Sequence, residues 1–406
     1  MKPARTEPGA YHYLLFAVCF LGGVFGGVAS TLMSAYLPDV LKALQTPGEP
    51  ASDSVGAVIN AAFPFGMMFG GLLLGFFGDR FGRKPALQVA LGCIGIFMIL
   101  TGFSAGFTSV GIFRFFTGFG VGGILMTGAT YLAEEWPEQT RNIALGILSI
   151  TIPVGIFSAG LITFNFSDWR AGFRVGLAPL LLAGLAHFRI RESGAWRQKR
   201  TRDGARSPAA MSVFHPSVRR DLWLGSAIYG SMLIGLWAVF LWLPTWVEGL
   251  ADSTGGQKAR GTSMMLFAIG GLAGGFVSGW LSNLFGVKRT TLVCFAAVFI
   301  LTFCLFKLNS ALHPLLFLEI GLIALFFGLS QGVLNGYIPE LFPTEVRASA
   351  TGFCFNIGRI FTASVVFFVG WLETALGGIG NALFLFSFVF LLGFLATLFA
   401  REPEIQ

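Results

Sequence analysis

The stretch GFFGDRFGRKPAL, from Gly75 to Leu87, sets the interpretation of the whole chain because it places a compact charged turn between two long apolar runs. Gly78 and Gly82 allow sharp backbone turns, and Asp79 offers a carboxylate that can cap the amino terminus of a helix. Three basic residues hold such a loop on the cytoplasmic side of a membrane, namely Arg80, Arg83 and Lys84. A merely basic turn would explain the charges, but not their spacing from the glycines and the aspartate.

The composition of the 406-residue chain predicts an all-α membrane protein. Hydrophobic residues make up 54% and charged residues 12% of the chain, and the mean hydropathy is +0.74, which is far too apolar for a soluble protein of this length. Apolar runs of about 20 residues follow one another from Leu14 to Ala400, and a run of that length crosses a bilayer as a helix. The runs predict twelve transmembrane helices.

The distribution of charge predicts how the chain lies in the membrane. The formal net charge is +7, but the basic residues form no aromatic-interleaved module, so nucleic acid is not expected as a partner. Most Lys and Arg residues fall in alternate loops, which predicts an inner (cytoplasmic) membrane protein with both termini cytoplasmic. The first apolar run lacks a small-residue cleavage site and is interpreted as a retained helix. The five cysteines lie in apolar runs without metal-ligand spacing, so we expect no cofactor or metal, and a monomer in the lipid bilayer.

An internal repeat predicts two pseudo-symmetric halves. The segments AEEWPEQTRNIALG and PELFPTEVRASATG share the pattern E-x-x-P-x-x-x-R-x-x-x-x-G, 206 positions apart. The matched positions are Glu134, Pro137, Arg141 and Gly146 in the first copy and Glu340, Pro343, Arg347 and Gly352 in the second. A weaker echo of the opening stretch begins at Gly279, with Asn283 in the place of the aspartate. We therefore predict an N-terminal six-helix bundle at 1–188, a basic cytoplasmic linker at 189–221 and a C-terminal six-helix bundle at 222–406.

These motifs resemble those of the major facilitator superfamily. The pattern G-x-x-G-D-R-x-G-R-K-x-x-L is similar to the loop signature between its second and third helices, and Arg114 in FRFFTGFGVGG resembles its fourth-helix R-x-x-x-G-x-G. The tract WLPTW, which begins at Trp242, and NIGR, which begins at Asn356, resemble organic-acid members, with the branch of sialate, lactate and aromatic-acid proton symporters as the nearest likeness. The resemblance covers the whole chain and implies a secondary transporter that works by alternating access.

The resemblance also implies a cytoplasmic gate. By this likeness, Asp79 would cap the amino terminus of helix eleven and join an ion-pair network that stabilises the outward-facing state. The other members of the gate are Arg83, Glu134 and Arg141, with Glu340 and Arg347 in the equivalent places of the second half. Since Asn283 is uncharged, the second half of the gate is expected to be weaker.

Two arginines inside predicted spans are candidate contacts for an anionic substrate. Arg359 lies near the middle of GFCFNIGRIFTASVVFFVG, where an uncompensated charge is costly, and Asn356 shares its helix face. An amide beside a guanidinium suits a carboxylate, although an arginine that only pairs with another helix would also fit. Arg114 either faces a water-filled cavity or snorkels to the outer interface. Further candidate substrate contacts are Gln331, Asn335 and Trp242.

Glu319 is the one acidic residue that we place inside a span, and it is the candidate proton-coupling group. A glutamate that only reaches the outer interface beside His313 would fit the same position. The D-G-x-D motif found in helix one of the aromatic-acid group falls here on Gly26, Gly27, Val28 and Ala29, so both acids are missing. Three options follow: Glu319 replaces them, protons couple elsewhere, or the protein is a uniporter or exchanger.

The sequence therefore predicts secondary active transport of a small organic anion, with monocarboxylates as the first candidates. No P-loop, H-E-x-x-H or nucleophile elbow suggests an enzyme. Efflux of drugs or other hydrophobic or cationic compounds is one rival, and two buried arginines against one buried acid oppose cation binding. The other rival is a transporter-like receptor or assembly protein that has lost transport.

Overall fold

The computed structural model of the protein is helical throughout the residues that it describes, which are 7–45, 53–202, 214–251, 255–343 and 346–402. The helices before residue 214 are α1 (Ala10–Leu44), α2 (Asp53–Phe81), α3 (Arg83–Gly102), α4 (Phe107–Glu135), α5 (Glu138–Ser149), α6 (Thr151–Asn165), α7 (Trp169–Phe173), α8 (Leu177–Arg189) and α9 (Gly194–Arg202). The later helices are α10 (Pro216–Gly249), α11 (Gly256–Phe285), α12 (Val287–Leu308), α13 (Pro314–Glu340), α14 (Arg347–Leu376), α15 (Ile379–Ser387) and α16 (Val389–Phe399).

The lengths of these helices match a membrane protein. In the described part of the chain, 11 helical spans are long and apolar enough to cross a bilayer, with α5 and α6, α7 and α8, and α15 and α16 each counted as one span. The helix α14, with 30 residues, has the length of a twelfth span. The all-α membrane fold expected from the sequence is confirmed.

The chain divides into two compact units. Unit 1 comprises Met1–Glu49 and Ala62–Arg206, and unit 2 comprises Pro50–Ala61 and Ser207–Gln406. The boundary near residue 206 falls inside the predicted linker 189–221, of which residues 203–213 lie outside the described part. The linker is partly helical, because it contains α9, and α10 begins at Pro216, earlier than the predicted start at residue 222.

Each unit is built from pairs of closely packed helices. In unit 1, α1 packs against α4 and α6, while α3 packs against α4 and α8. In unit 2, α10 packs against α14 and α16, while α13 packs against α11 and α12. Helices inside a membrane gain little from hydrophobic exclusion, so their association depends on close van der Waals contact between small residues.

Glycines allow one such approach between α2 and α4 in unit 1. A β-carbon at Gly66 would meet the carbonyl oxygen of Phe115, and one at Gly70 would meet the carbonyl oxygen of Phe119. The two backbones therefore touch where both glycines lack a side chain. Larger residues at either position would force the helices apart.

The same device recurs between α11 and α13 in unit 2. A β-carbon at Gly270 would meet the carbonyl oxygen of Gly321, and one at Gly274 would meet that of Leu325. Both glycines lie 204 positions after their counterparts in α2, the same offset as the weaker sequence repeat. The predicted repeat thus appears in backbone packing as well as in sequence.

The charged turn and its repeat share one backbone feature. Gly82 and Gly286 have φ angles of 118° and 85° and immediately precede α3 and α12. Such positive φ angles favour glycine, so these two residues make the turns. Gly78, predicted to share this role, lies instead in the last turns of α2.

The helix α1 contains a proline. It continues through Pro38 to Leu44. A proline removes one backbone hydrogen bond of a helix, but the residues on both sides of Pro38 remain helical.

Candidate functional site

Arg359 lies in the middle of α14 and is partly buried. Its Nη1 donates one long hydrogen bond of 3.5 Å to Oδ1 of Asn356. Nδ2 of Asn356 donates to the carbonyl oxygen of Gly352 at 2.9 Å, which orients the amide oxygen towards the guanidinium. Among the described residues no carboxylate pairs with Arg359, and most of its N–H donors have no partner. The geometry therefore leaves the guanidinium able to bind an anion.

An aromatic pair lies beside Arg359 in unit 2. The rings of Tyr229 and Phe355 stack with centroids 4.2 Å apart and planes 26° from parallel. The helices are close at this level, since a β-carbon on Gly358 would lie 3.1 Å from Cα of Gly230. Phe355 lies one turn before Arg359 in α14, and Tyr229 precedes Gly230 in α10. A guanidinium beside stacked rings suits a carboxylate attached to a flat, apolar body.

Two of the predicted substrate contacts carry buried donors without partners. Nε1 of Trp242 in α10 and Nε2 of Gln331 in α13 have no hydrogen-bond partner among the described residues, and Trp242 is only 2% exposed. Oγ1 of Thr245, one turn from Trp242, is a third such group. A buried polar group left unsatisfied costs about 1–3 kcal/mol, so these atoms are candidates for contact with a ligand. Asn335, the remaining predicted contact on α13, is exposed.

Arg114 is enclosed within unit 1. It is 1% exposed, its Nη2 donates to the carbonyl oxygen of Ser30 at 3.1 Å, and its Nη1 donates to that of Ala29. Its Cζ lies 4.2 Å from the centroid of the Phe63 ring, a cation–π contact. Such a buried guanidinium does not snorkel, and both of its Nη groups are committed to α1. The sequence could not show that backbone carbonyls would supply these contacts.

Glu319 belongs to a polar cluster at the start of α13. Its Oε2 accepts a hydrogen bond of 2.8 Å from Nδ2 of Asn309, and Oδ1 of Asn309 lies within hydrogen-bond distance of Nε2 of His313. His313 Nδ1 accepts from the backbone N–H of Leu316, so its Nε2 is the donor to Asn309. Glu319 and His313 thus share Asn309 as a hydrogen-bond partner, and both the proton-coupling role and the alternative of a glutamate at the outer interface stay predictions.

A buried ion pair in unit 2 escaped the sequence analysis. Nη1 of Arg260 lies 2.9 Å from Oε2 of Glu248, and the side chains are 2% and 20% exposed. Both residues lie within helices of span length, so Glu319 is not the only acid inside a span. The two charges flank a short polar loop in the sequence, which made them look like ordinary loop residues.

The loop signature between α2 and α3 forms an ion-pair network in unit 1. Arg83 Nη1 lies 2.7 Å from Oδ1 of Asp79, and its Nη2 lies 2.8 Å from Oε1 of Glu134. Nε of Arg83 also donates to Oε1 of Glu134 at 3.1 Å, so this contact is a two-pronged one. The Arg83 and Glu134 side chains are 11% and 20% exposed, whereas that of Asp79 is 60% exposed. The predicted cap by Asp79 on helix eleven stays a prediction.

Arg141 and Arg347, the other two predicted gate arginines, contact backbone carbonyl oxygens in the structure. Arg141 donates from Nη2 to the carbonyl oxygen of Trp136 at 3.3 Å, and Arg347 donates from Nε to that of Phe342 at 3.2 Å. In both copies of the repeat the arginine thus closes the turn before its own helix. Neither arginine joins a carboxylate network among the described residues.

The network has an additional member that the sequence analysis missed, at the start of the linker. Oε1 of Glu192 accepts hydrogen bonds from the backbone N–H groups of Arg83 at 2.7 Å and Lys84 at 3.2 Å. A carboxylate at this position caps the amino terminus of α3. Ser193 Oγ donates to Oε2 of Glu134 at 2.6 Å. The linker therefore holds the loop signature directly.

The sequence does contain a pattern that could have indicated the contact of Glu192 with α3, because an Arg–Glu dipeptide occurs in both units. Arg191 and Arg401 each precede a glutamate after the last long helical stretch of their units. The hydroxyl of Tyr131 donates to the carbonyl oxygen of Arg191, and that of Tyr337 donates to the carbonyl oxygen of Arg401 at 2.8 Å. The two tyrosines are 206 positions apart and the two arginines 210 apart, so the same kind of hydrogen bond recurs in both units with a shift of four residues at the arginine.

The second copy of the gate lacks the charges for an ion-pair network. The positions equivalent to the three members in unit 1 are Asn283, Val287 and Glu340. Two of these side chains are uncharged, and Glu340 is exposed. The weaker second half of the gate expected from Asn283 stays a prediction.

The helices, their internal repeat and the buried charges define a multi-pass membrane transport protein. The chain belongs to the Major Facilitator Superfamily, whose model matches residues 14–366. It is 27% identical over 417 residues to the cis,cis-muconate transport protein of Acinetobacter baylyi, covering 98% of this chain and 97% of that protein. It is 25% identical over 382 residues to the 4-hydroxybenzoate transporter of Pseudomonas aeruginosa, covering 86% and 83% of the two chains.

The same fold occurs in a solved structure. The D-xylose–proton symporter superimposes with a TM-score of 0.77 at 19% identity, over 97% of this chain and 99% of that one. The likeness shows the fold, and the curated relatives are transporters of organic acids. The protein is therefore a membrane transporter and not an enzyme.

Proposed function

We propose that the protein transports small monocarboxylates, and that Arg359 binds the carboxylate. One observation carries the proposal: a partly buried guanidinium inside a membrane helix has no carboxylate partner among the described residues. Such a charge is costly unless an anion or water compensates it. Asn356 orients the guanidinium, while Trp242 and Gln331 offer further hydrogen bonds.

A single carboxylate fits better than two. Arg114 has committed both Nη groups to carbonyl oxygens of α1, so it acts on a substrate through its charge rather than by direct hydrogen bonds. Of Arg114 and Arg359, only Arg359 then offers an open guanidinium fork, which matches one carboxylate. The stacked Tyr229 and Phe355 rings favour a flat apolar body on that acid. Of the relatives described above, the 4-hydroxybenzoate transporter is named for an acid with one carboxylate, and the muconate transport protein for an acid with two.

The remaining parts of the proposal concern location. We place the protein in the inner membrane as a monomer, with both termini cytoplasmic. The basic loop signature supports this orientation, since Arg80, Arg83 and Lys84 lie together at one end of two spans. Labelling of single introduced cysteines at the two termini by an impermeant reagent would test the orientation.

A thermal-shift assay with matched ligands tests the substrate class. We expect 4-hydroxybenzoate or benzoate to stabilise the purified protein, by about 3 kcal/mol at a concentration 100 times the dissociation constant. The neutral analogue 4-hydroxybenzamide should not stabilise it, because it lacks the charge that Arg359 binds. Arg359→Gln should abolish the response, and Arg289→Gln, at an exposed arginine of α12, should keep it. Equal stabilisation by the acid and the amide would contradict the proposal.

A further inference from the structure

The surroundings of Arg114 bear on how the transport cycle is driven. Its guanidinium contacts two carbonyl oxygens and one aromatic ring, and its Nε has no hydrogen-bond partner among the described residues. The nearby side-chain hydroxyls, those of Ser30 and Thr31, both donate to the carbonyl oxygen of Gly27. Dipoles therefore solvate the charge, but no described group there can take up or release a proton to neutralise it.

Ala29, one of the two residues whose carbonyl oxygens accept hydrogen bonds from Arg114, has no acidic side chain. Nη1 donates to the backbone of Ala29, whose side chain is a methyl group with 0% exposure. A carboxylate on this residue would be placed beside the guanidinium and could pair with it. With alanine there, the charge of Arg114 stays uncompensated by any ion pair in the described part of unit 1.

In the described part of unit 2, Arg359 likewise has no carboxylate as an ion-pair partner. The acids of its long helices are not paired with Arg359: Glu248 pairs with Arg260 at 2.9 Å, Glu319 accepts from Asn309 at 2.8 Å, and Asp221 pairs with Arg401 at 3.6 Å. Glu340 is exposed near the end of α13, and no ion pair joins Glu373 to Arg359 among the described residues. Arg359 itself contacts only the Asn356 amide within the described residues. Each unit thus carries a membrane-embedded arginine with no acid paired to it.

We propose that the protein is an obligatory anion exchanger; this inference rests on the proposed transport of organic anions. In a carrier with an embedded acid, that acid can pair with the arginine after the substrate has left, and the empty site returns in a neutral form. Among the residues that the structure describes, no such acid pairs with either arginine. The empty carrier would have to change conformation with bare positive charges, which is costly in a membrane, whereas a bound anion compensates them. The return step therefore takes place with a second anion bound.

Counterflow into proteoliposomes tests this proposal with the full-length protein. Radiolabelled 4-hydroxybenzoate, benzoate and lactate are supplied outside vesicles that are either empty or loaded with the same unlabelled acid. We expect loading to raise the initial uptake rate at least about tenfold, because an uncompensated arginine costs more than the free energy that a tenfold rate change needs. An imposed pH gradient should not drive uptake into empty vesicles.

The variant Ala29→Asp, with Ala29→Asn as its control of the same size, tests the cause. We expect the carboxylate of the first variant to pair with Arg114 and permit net uptake into empty vesicles. The asparagine variant should still require internal anion. Thermal unfolding of both variants establishes that they are folded, and the wild-type counterflow result stands without them.

Two contrary results would have different meanings. Equal uptake into empty and loaded vesicles by the wild-type protein, or uptake driven by a pH gradient, would overturn obligatory exchange and leave organic-anion transport intact. The absence of uptake of all three acids in both kinds of vesicle, together with no thermal shift, would contradict the proposed function and the exchange with it.

Discussion

The ion pair between Arg83 and Glu134 should stabilise unit 1 far more than the neighbouring pair with Asp79. Removing one partner of a buried pair leaves a charge without compensation and typically costs about 3–5 kcal/mol. Glu134 is 20% exposed, and Asp79 still faces the arginine in a Glu134→Gln variant, so we expect a smaller cost of about 2–3 kcal/mol. Asp79→Asn removes a 60% exposed partner and should cost about 1 kcal/mol or less.

The repeat supplies a matched control for this measurement. Glu340 is the counterpart of Glu134, but it is exposed and faces no equivalent arginine, so Glu340→Gln should change stability by no more than about 0.5 kcal/mol. In a detergent thermal-shift assay the Glu134→Gln variant should unfold about 5–10 °C lower than wild type, by the scaling for units of this size. Equal shifts for the two glutamine variants, or a larger shift for Asp79→Asn, would refute the reasoning.

Three further outcomes are expected. Gly70→Val should lower expression and thermal stability, by about 1–3 kcal/mol or more, because its β-carbon meets the backbone of α4; Gly75→Val, with nothing within 4 Å of its β-carbon, should not. Trp242→Phe should lower the free energy of unfolding by about 1–2 kcal/mol, because the smaller ring leaves a cavity at a buried position, and should also raise KM about fivefold in uptake assays through loss of the indole N–H. Glu248→Gln should destabilise the protein by about 3 kcal/mol through its buried ion pair, and Glu319→Gln should not, because an amide oxygen can still accept the same hydrogen bond.

The main features of the fold follow from local rules that the sequence displays openly. Apolar runs of bilayer length predict the helices, and the positive φ of Gly82 and Gly286 explains why glycine recurs at both turns. The Arg83–Glu134 pair was also anticipated, through the resemblance of its motif. In each case the residue type and its position in the sequence are enough to predict the local structure.

The features that escaped prediction depend on partners far apart in the chain. Glu192 caps α3 through two backbone N–H groups, and nothing in a glutamate at a linker start specifies such a contact. Arg114 is held by backbone carbonyls, which every residue possesses, so sequence gave no reason to choose those of Ala29. In the sequence, Glu248 and Arg260 look like loop charges, because only the structure shows that α10 and α11 include them.

The candidate anion contact was predictable from the sequence in one part and not in another. A guanidinium inside an apolar run points to Arg359 from the sequence alone, because its cost demands compensation. The orientation of Asn356, set by its hydrogen bond to Gly352, and the stacked rings of Tyr229 and Phe355 required the packed helices.

Uptake of radiolabelled 4-hydroxybenzoate, benzoate and lactate by proteoliposomes containing Arg359 variants tests the central claim most directly. Losing hydrogen bonds to a charged group costs about 1.5–3 kcal/mol, so Arg359→Gln should lower kcat/KM by about 10- to 100-fold. Arg359→Lys keeps the charge but loses the guanidinium fork, so its kcat/KM should lie between those of wild type and Arg359→Gln. Arg289→Gln should transport like wild type. Undiminished transport of these acids by Arg359→Gln would contradict the account.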